Sequence, residues 1–131
     1  MSAISSPDLA PPPPFLSSAV LAQETLYISG CCGQAKDGSF VGGTVADRTT
    51  QAMRNIESIL RAAGMSLENV VSSTIYLSKY KEDFDVMNKA YVAAFPPGSR
   101  LPARTCIGVA SLPKDTDVEI TCTAVRGSSK L

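Results

Sequence analysis

The chain has no histidine and no tryptophan in its 131 residues. Without an imidazole, every Ser-His or Cys-His nucleophile scheme and every His-ligated metal site is excluded. Acid–base work falls to carboxylates, Tyr, Cys, Lys or water. Aromatics make up only 6% of the chain, so the core must rest on Val, Ile, Leu and Ala. Net charge is lacking too: 12 basic residues balance 12 acidic ones, which argues against a strong footprint for nucleic acid. No apolar run approaches transmembrane length, so no membrane partner is expected. The N-terminus lacks the basic start and apolar core of a signal peptide. It also lacks the arginines of a mitochondrial presequence, since no basic residue precedes Lys36. The four cysteines, Cys31, Cys32, Cys106 and Cys122, form no Cys-x-x-Cys pair, so neither a zinc ribbon nor a disulfide framework is expected. The expectation is a cytosolic protein with reduced thiols.

A chain of this length fits one domain that buries roughly two-thirds of its unfolded surface. Residues 1–14 are Ser- and Pro-rich and end in four prolines, which predicts an extended or disordered arm. Residues 15–131 read as a single domain. Ser17–Leu21 and Thr25–Ser29 read as an opening hairpin. Gly30–Gly43 holds five glycines and reads as loop, without a dinucleotide or phosphate-loop pattern. Thr44-Val45-Ala46-Asp47 reads as a capping box, and Ala52, Ile56, Ile59, Leu60 and Ala63 recur at helical spacing before Gly64. Val70–Leu77 is β-branched and reads as a strand, with Val71, Ser73, Ile75 and Leu77 on one face. A second helix is predicted from about Glu82 to Phe95, stopped by Pro96-Pro97-Gly98. Two final strands, Ala103–Ala110 and Asp117–Val125, flank a Pro-containing turn. Two helices on one face of a mixed sheet, an α+β fold, is the economical assembly.

The last two strands each carry one charge where a half-buried strand is normally apolar or neutral. Arg104 follows a proline and alternates with Cys106, Gly108 and Ala110, a setting that suits forked capture of a carboxylate. Glu119 shares its face with Thr121 and Thr123 and suits holding or activating a water. The bland alternative is that the two charges pair with each other or face solvent. Cys106 could be a nucleophile only if Arg or Lys depressed its pKa. Asn88 lies in line with Phe84, Tyr91 and Phe95 on the second helix, where a buried amide needs partners.

Pro102-Ala103-Arg104, then Leu112-Pro113-Lys114, then Val118-Glu119-Ile120 resembles the C-terminal signature of the Rid/YjgF family of reactive enamine/imine deaminases, also known as the endoribonuclease L-PSP family. The likeness runs from about Phe15 to Arg126. It includes Tyr27-Ile28-Ser29-Gly30, Val70-Val71 with Thr74, and Phe84 with Val86-Met87-Asn88 and Tyr91. The resemblance implies a chorismate-mutase-like α+β fold of about six strands, and a homotrimer with a barrel-like core and clefts between subunits.

It further implies hydrolysis of 2-aminoacrylate-type enamines and imines to 2-keto acids and ammonia, without metal or organic cofactor. Such species are released by pyridoxal-phosphate dehydratases, which would be the functional partners. Arg104 would anchor the substrate carboxylate and Glu119 would hold the attacking water. Backbone groups at Cys106, with Ser29, Gly30 and Asn88, would complete the pocket. Two departures stand out. The family tyrosine near the first long strand is replaced by Phe15 or Leu16, which could wall the pocket but cannot donate a hydrogen bond. The glutamine after Ser29-Gly30 is replaced by Cys31. A non-catalytic binder of small 2-keto acids is the alternative these departures favour; ribonuclease or translation-inhibitor activity is weaker, given the charge balance and absent histidine.

Overall fold

A computed structural model describes residues 1–127; residues 128–131, which the sequence reading included in the domain, lie outside them. Six strands, β1 (Ser2–Ile4), β2 (Ala19–Ala22), β3 (Thr25–Cys32), β4 (Val70–Leu77), β5 (Ala103–Gly108) and β6 (Val118–Val125), form one mixed sheet in the order β1-β2-β3-β6-β4-β5. Only β4 and β5 are parallel. A parallel pair needs a crossover, and α2 (Tyr80–Ala93) supplies it. The helix α1 (Val45–Ala62) links β3 to β4.

Helix α1 starts where its chemistry requires. Thr44 caps the Ala46 amide at 3.1 Å, and Asp47 reaches back to the Thr44 amide at 2.9 Å, satisfying orphan donors of the first turn. Ala52, Ile56, Ile59 and Leu60 then bury against Leu26, Ile28, Ile75, Ile120 and Ala124 of the sheet. From α2, Met87 and Tyr91 join the same core, and the Tyr91 hydroxyl donates to the Ser73 Oγ at 3.0 Å. Both helices thus back one face. On the other, Tyr27 is 54% and Ile107 43% exposed, beside Ser72, Thr105, Thr121 and Thr123.

Two features differ from the sequence reading. Val70, not Val71, faces the core, because a bulge between Val70 and Ser72 absorbs one residue and reverses the side-chain alternation there. The strand β3 runs on through Cys32, into a stretch read as loop. The relation of the last two strands, left open by the sequence, is set by β4, which lies between them. In the arm, Ser2–Ile4 pairs antiparallel with Ala19–Leu21 as an edge strand, so its start is extended and attached to the sheet.

An ion pair fixes the entry to β6. The Arg48 guanidinium on α1 donates from Nε and Nη2 to the two oxygens of Asp117 at 2.7 and 2.8 Å. Burial pushes the Asp117 carboxyl up, but the Arg48 hydrogen bond and charge outweigh it and hold it below its usual range. The stabilisation is therefore full above the unfolded carboxyl value of about 3.9 and is lost as pH falls through the lower folded value. Asp117→Asn is expected to cost about 1–2 kcal/mol at neutral pH, discounted for partial exposure. In urea unfolding the gap from wild type should close as the pH falls towards about 3 and below.

Candidate active site

The site grows from a second bulge. Ile28 pairs with Cys122 but Cys31 pairs with Ile120, so Ser29-Gly30 carries one residue more than the facing strand. The freed Ile28 carbonyl accepts from the Thr121 hydroxyl. The Ser29 hydroxyl donates to the Ser17 carbonyl at 2.7 Å, pinning the end of the N-terminal arm beside the bulge. Gly30 lies against Glu119: a Cβ there would stand 2.7 Å from the Glu119 Cδ. On the far side, the Cys32 thiol points at the Glu119 Oε2 at 3.6 Å. From α1, the Asn55 amide donates to the carbonyls of Cys32 at 3.1 Å and Gln34 at 2.9 Å, and Gln51 donates to the Asn55 Oδ1 at 2.9 Å. The helix thereby holds the strand that faces the glutamate.

A cleft of about 500 Å³ opens over this bulge, and Phe15, Ser29, Gly30, Cys31 and Glu119 all line it. Cys32, Asn55 and Lys114 line it as well, and the sequence reading assigned none of them a role. Lys114 and Asp115 are both held in the left-handed region, with φ of 52° and 58°, a conformation uncommon for non-glycine residues and worth noting beside a cleft. Once the bulge is known, strand alternation from Glu119 identifies Cys32; nothing local in the sequence marks Asn55.

Arg104, Cys106 and Asn88 lie elsewhere. Arg104 is paired with Ser73 across β4, and Ser73 with Cys122 across β6. Glu119 is three residues further along β6, an odd offset, so it projects from the opposite face of the sheet. Strand spacing and rise put the two α-carbons about 14 Å apart. Arg104 instead lies on the helix side, its guanidinium carbon 5.2 Å from the Tyr91 ring centroid and 5.9 Å from that of Phe84. Such stacking holds the cation while leaving its forked edge free. No carboxylate among the described residues pairs with it, so the Arg104–Glu119 pair considered from the sequence does not form within one chain. Cys106 follows on the same face of β5, and the Asn88 Oδ1, between Phe84 and Tyr91 on α2, is buried without a hydrogen-bond partner.

The thiols are not poised as nucleophiles. Burial first, then the Glu119 carboxylate, pushes Cys32 up to about 12. Burial, followed by the neighbouring thiols, raises Cys31, and burial raises Cys122 to about 11. Cys106 is raised by burial, which Arg104 offsets only in part. At neutral pH each stays an S–H, a weak donor rather than a nucleophile.

These features define an α+β protein with an open mixed sheet and a carboxylate-bearing cleft of small-molecule size. The family profile of endoribonuclease L-PSP matches residues 8–126, and the chain belongs to that family, the Rid/YjgF group. It is 38% identical over 126 residues to the RutC family protein UK114 of Drosophila melanogaster, covering 95% of this chain and 89% of the relative. It is 41% identical over 112 residues to the Homo sapiens 2-iminobutanoate/2-iminopropanoate deaminase, covering 85% and 80%. Among solved structures, E. coli TdcF with bound serine superposes with a TM-score of 0.91 at 25% identity, covering 97% of this chain and all, 100%, of that one. Among the described residues no helix is long and apolar enough to cross a membrane.

Proposed function

We propose that the protein hydrolyses 2-imino acids of the 2-aminoacrylate type to 2-keto acids and ammonia, at clefts between copies of a homotrimer. The observation that carries this reading is the division of the two charges. Glu119 lines a cleft on one face, while Arg104, paired with no carboxylate among the described residues, is stacked on the other face at an edge strand. A three- or four-carbon acid cannot touch both within one chain, so a second copy must bring its Arg104 to the Glu119 cleft. The uncovered sheet face, with Tyr27 and Ile107, supports assembly of this kind. The deaminase name of the human relative supports the reaction class, and the serine bound by TdcF supports a small amino-acid-derived ligand.

In this scheme the enamine first tautomerises to the imine, protonated at carbon. Arg104 clamps the carboxylate through two parallel hydrogen bonds. Water held by Glu119 adds to the imine carbon; the C–O bond forms, the C=N pair moves to nitrogen, and Glu119 takes the water proton. Glu119 returns that proton to nitrogen, then takes the proton of the new hydroxyl and passes it to nitrogen as well; the C–N bond breaks with its electron pair on nitrogen, and ammonia leaves as the hydroxyl oxygen becomes the carbonyl. An imine is already electrophilic, so positioning and one proton acceptor suffice. Pyridoxal-phosphate lyases acting on serine or cysteine would supply the substrate in a reducing, cytosolic setting.

Phe15 and Leu16 offer no hydroxyl at the cleft, and this favours, as a second reading, a trimer that binds 2-keto acids without turnover. Generating 2-aminoacrylate in situ with such a lyase separates the two. Wild type should accelerate keto-acid release and Arg104→Ala should not. Binding of 2-ketobutyrate by correctly assembled wild type, with no acceleration, would reject deamination of this substrate and leave the binder.

A further inference from the structure

Cys32 occupies a place that the mechanism above leaves unused. It pairs directly with Glu119 across β3 and β6, so the two side chains project from the same face of the sheet. The Glu119 side chain lies across Gly30, where an added Cβ would stand within 2.9 Å of its Cγ, Cδ and Oε2. Two residues further on, along the same face, the Cys32 thiol donates to Oε2 at 3.6 Å. The carboxylate is thus bounded by backbone on one side and by a donor on the other. No other hydrogen bond reaches it from the described residues, which leaves Oε1 free.

Both partners are fixed through α1. The buried Asn55 amide donates to the carbonyls of Cys32 and Gln34, so the stretch of backbone that carries the thiol is held from both ends. Arg48 grips Asp117, two residues before Glu119, where the chain enters β6. One helix therefore sets the spacing of thiol and carboxylate. Burial and the facing carboxylate push the thiol up to about 12, so Cys32 keeps its proton, and its capacity to donate, through the neutral range. A glutamate without such a donor turns broadly about its last side-chain bond and offers either oxygen in changing directions.

Resting on the deaminase reading above, we propose that Cys32 is a positioning residue: its S–H holds Oε2 of Glu119, so that Oε1 is the oxygen presented to the reacting water. The thiol neither touches substrate nor moves a proton. It narrows the directions from which the carboxylate receives one, and a group supported in this way loses less to misalignment.

The test compares Cys32→Ser, which keeps a donor, with Cys32→Val, which keeps apolar bulk. Keto-acid release from 2-aminoacrylate is followed with each at equal concentrations of folded protein. Cys32→Val should lower kcat by about three- to tenfold, the effect of one hydrogen bond, with little change in KM. Cys32→Ser should restore most of that loss. Packing alone would give the reverse order, with the valine variant close to wild type and the serine variant impaired. That reverse order, equal activity in the two variants, or an effect confined to KM would overturn the inference while leaving deamination intact. A second readout needs no turnover. The infrared S–H stretching band that Cys32→Ser removes should lie lower in wild type than in Glu119→Ala, because donation to the carboxylate weakens the S–H bond. A band at the same frequency in both backgrounds would overturn the inference. A band that moves, with no acceleration of keto-acid release by wild type, would overturn deamination while upholding the placement of the carboxylate by Cys32.

Discussion

Arg104→Ala and Glu119→Ala, each inactive alone, should regain activity when they are made together and assemble into mixed oligomers. On the proposed roles of Glu119 as proton acceptor and Arg104 as carboxylate anchor, losing either should lower kcat/KM by about 10²-fold or more in the single variants. The opposite facing of the two side chains within one chain is what makes rescue an expected result. If each cleft takes Glu119 from one copy and Arg104 from the next, a copy carrying only the arginine substitution still presents an intact carboxylate. Its neighbour, carrying only the glutamate substitution, still presents an intact guanidinium. Random assembly of equal amounts then gives about a quarter of all clefts both groups. Activity near a quarter of wild type, with mixed assemblies verified by native mass spectrometry, is the expected result. Mixed assemblies as inactive as the single variants would show that the two groups do not meet between copies.

What was legible in the sequence was whatever local interactions decide. The Thr44–Asp47 cap, the β-branched run Val70–Leu77 and the proline stop after α2 all stand where the sequence places them, to within a residue or two at helix ends. The family signature carried the six-stranded sheet and its two helices. Strand order was not legible in the same way, because the insertion of β4 between β6 and β5 is settled by pairing across long sequence separations. The bulges were the costliest omission. A single extra residue at Val71, or at Ser29-Gly30, reverses which face the following side chains occupy. With regular alternation Cys32 has no special place, yet the bulge sets it against Glu119. Nor did the composition of the arm show that its prolines would wall a cleft, since the contact depends on β1 pairing back onto β2.

Two glycines close to one another in sequence should separate positioning from stability. At Gly30, an added Cβ would lie 2.7, 2.8 and 2.9 Å from the Cδ, Oε2 and Cγ of Glu119. These are the movable atoms of a flexible side chain, and the backbone at Gly30 is not in the left-handed region, so Gly30→Ala can be accommodated by swinging the carboxylate aside. The fold should survive with little change in Tm. On the proposed role of Glu119, the water it would hold is displaced by about 1 Å, and a misplacement of that size lowers kcat by about 10²-fold. At Gly33 the added Cβ would lie 2.6 Å from the Arg48 Cβ and 2.7 Å from its Cα. A helix backbone cannot rotate out of the way as a side chain can, so α1 must shift, at about 1–3 kcal/mol of stability for an overpacked contact. Thermal unfolding and kcat per folded molecule, measured on both variants, should therefore move in opposite order: Gly33→Ala loses more stability, and Gly30→Ala loses more turnover. If Gly30→Ala kept wild-type kcat, the close approach of strand β3 to Glu119 would have no part in catalysis, and the assignment of Glu119 as the water-holding group would fall with it.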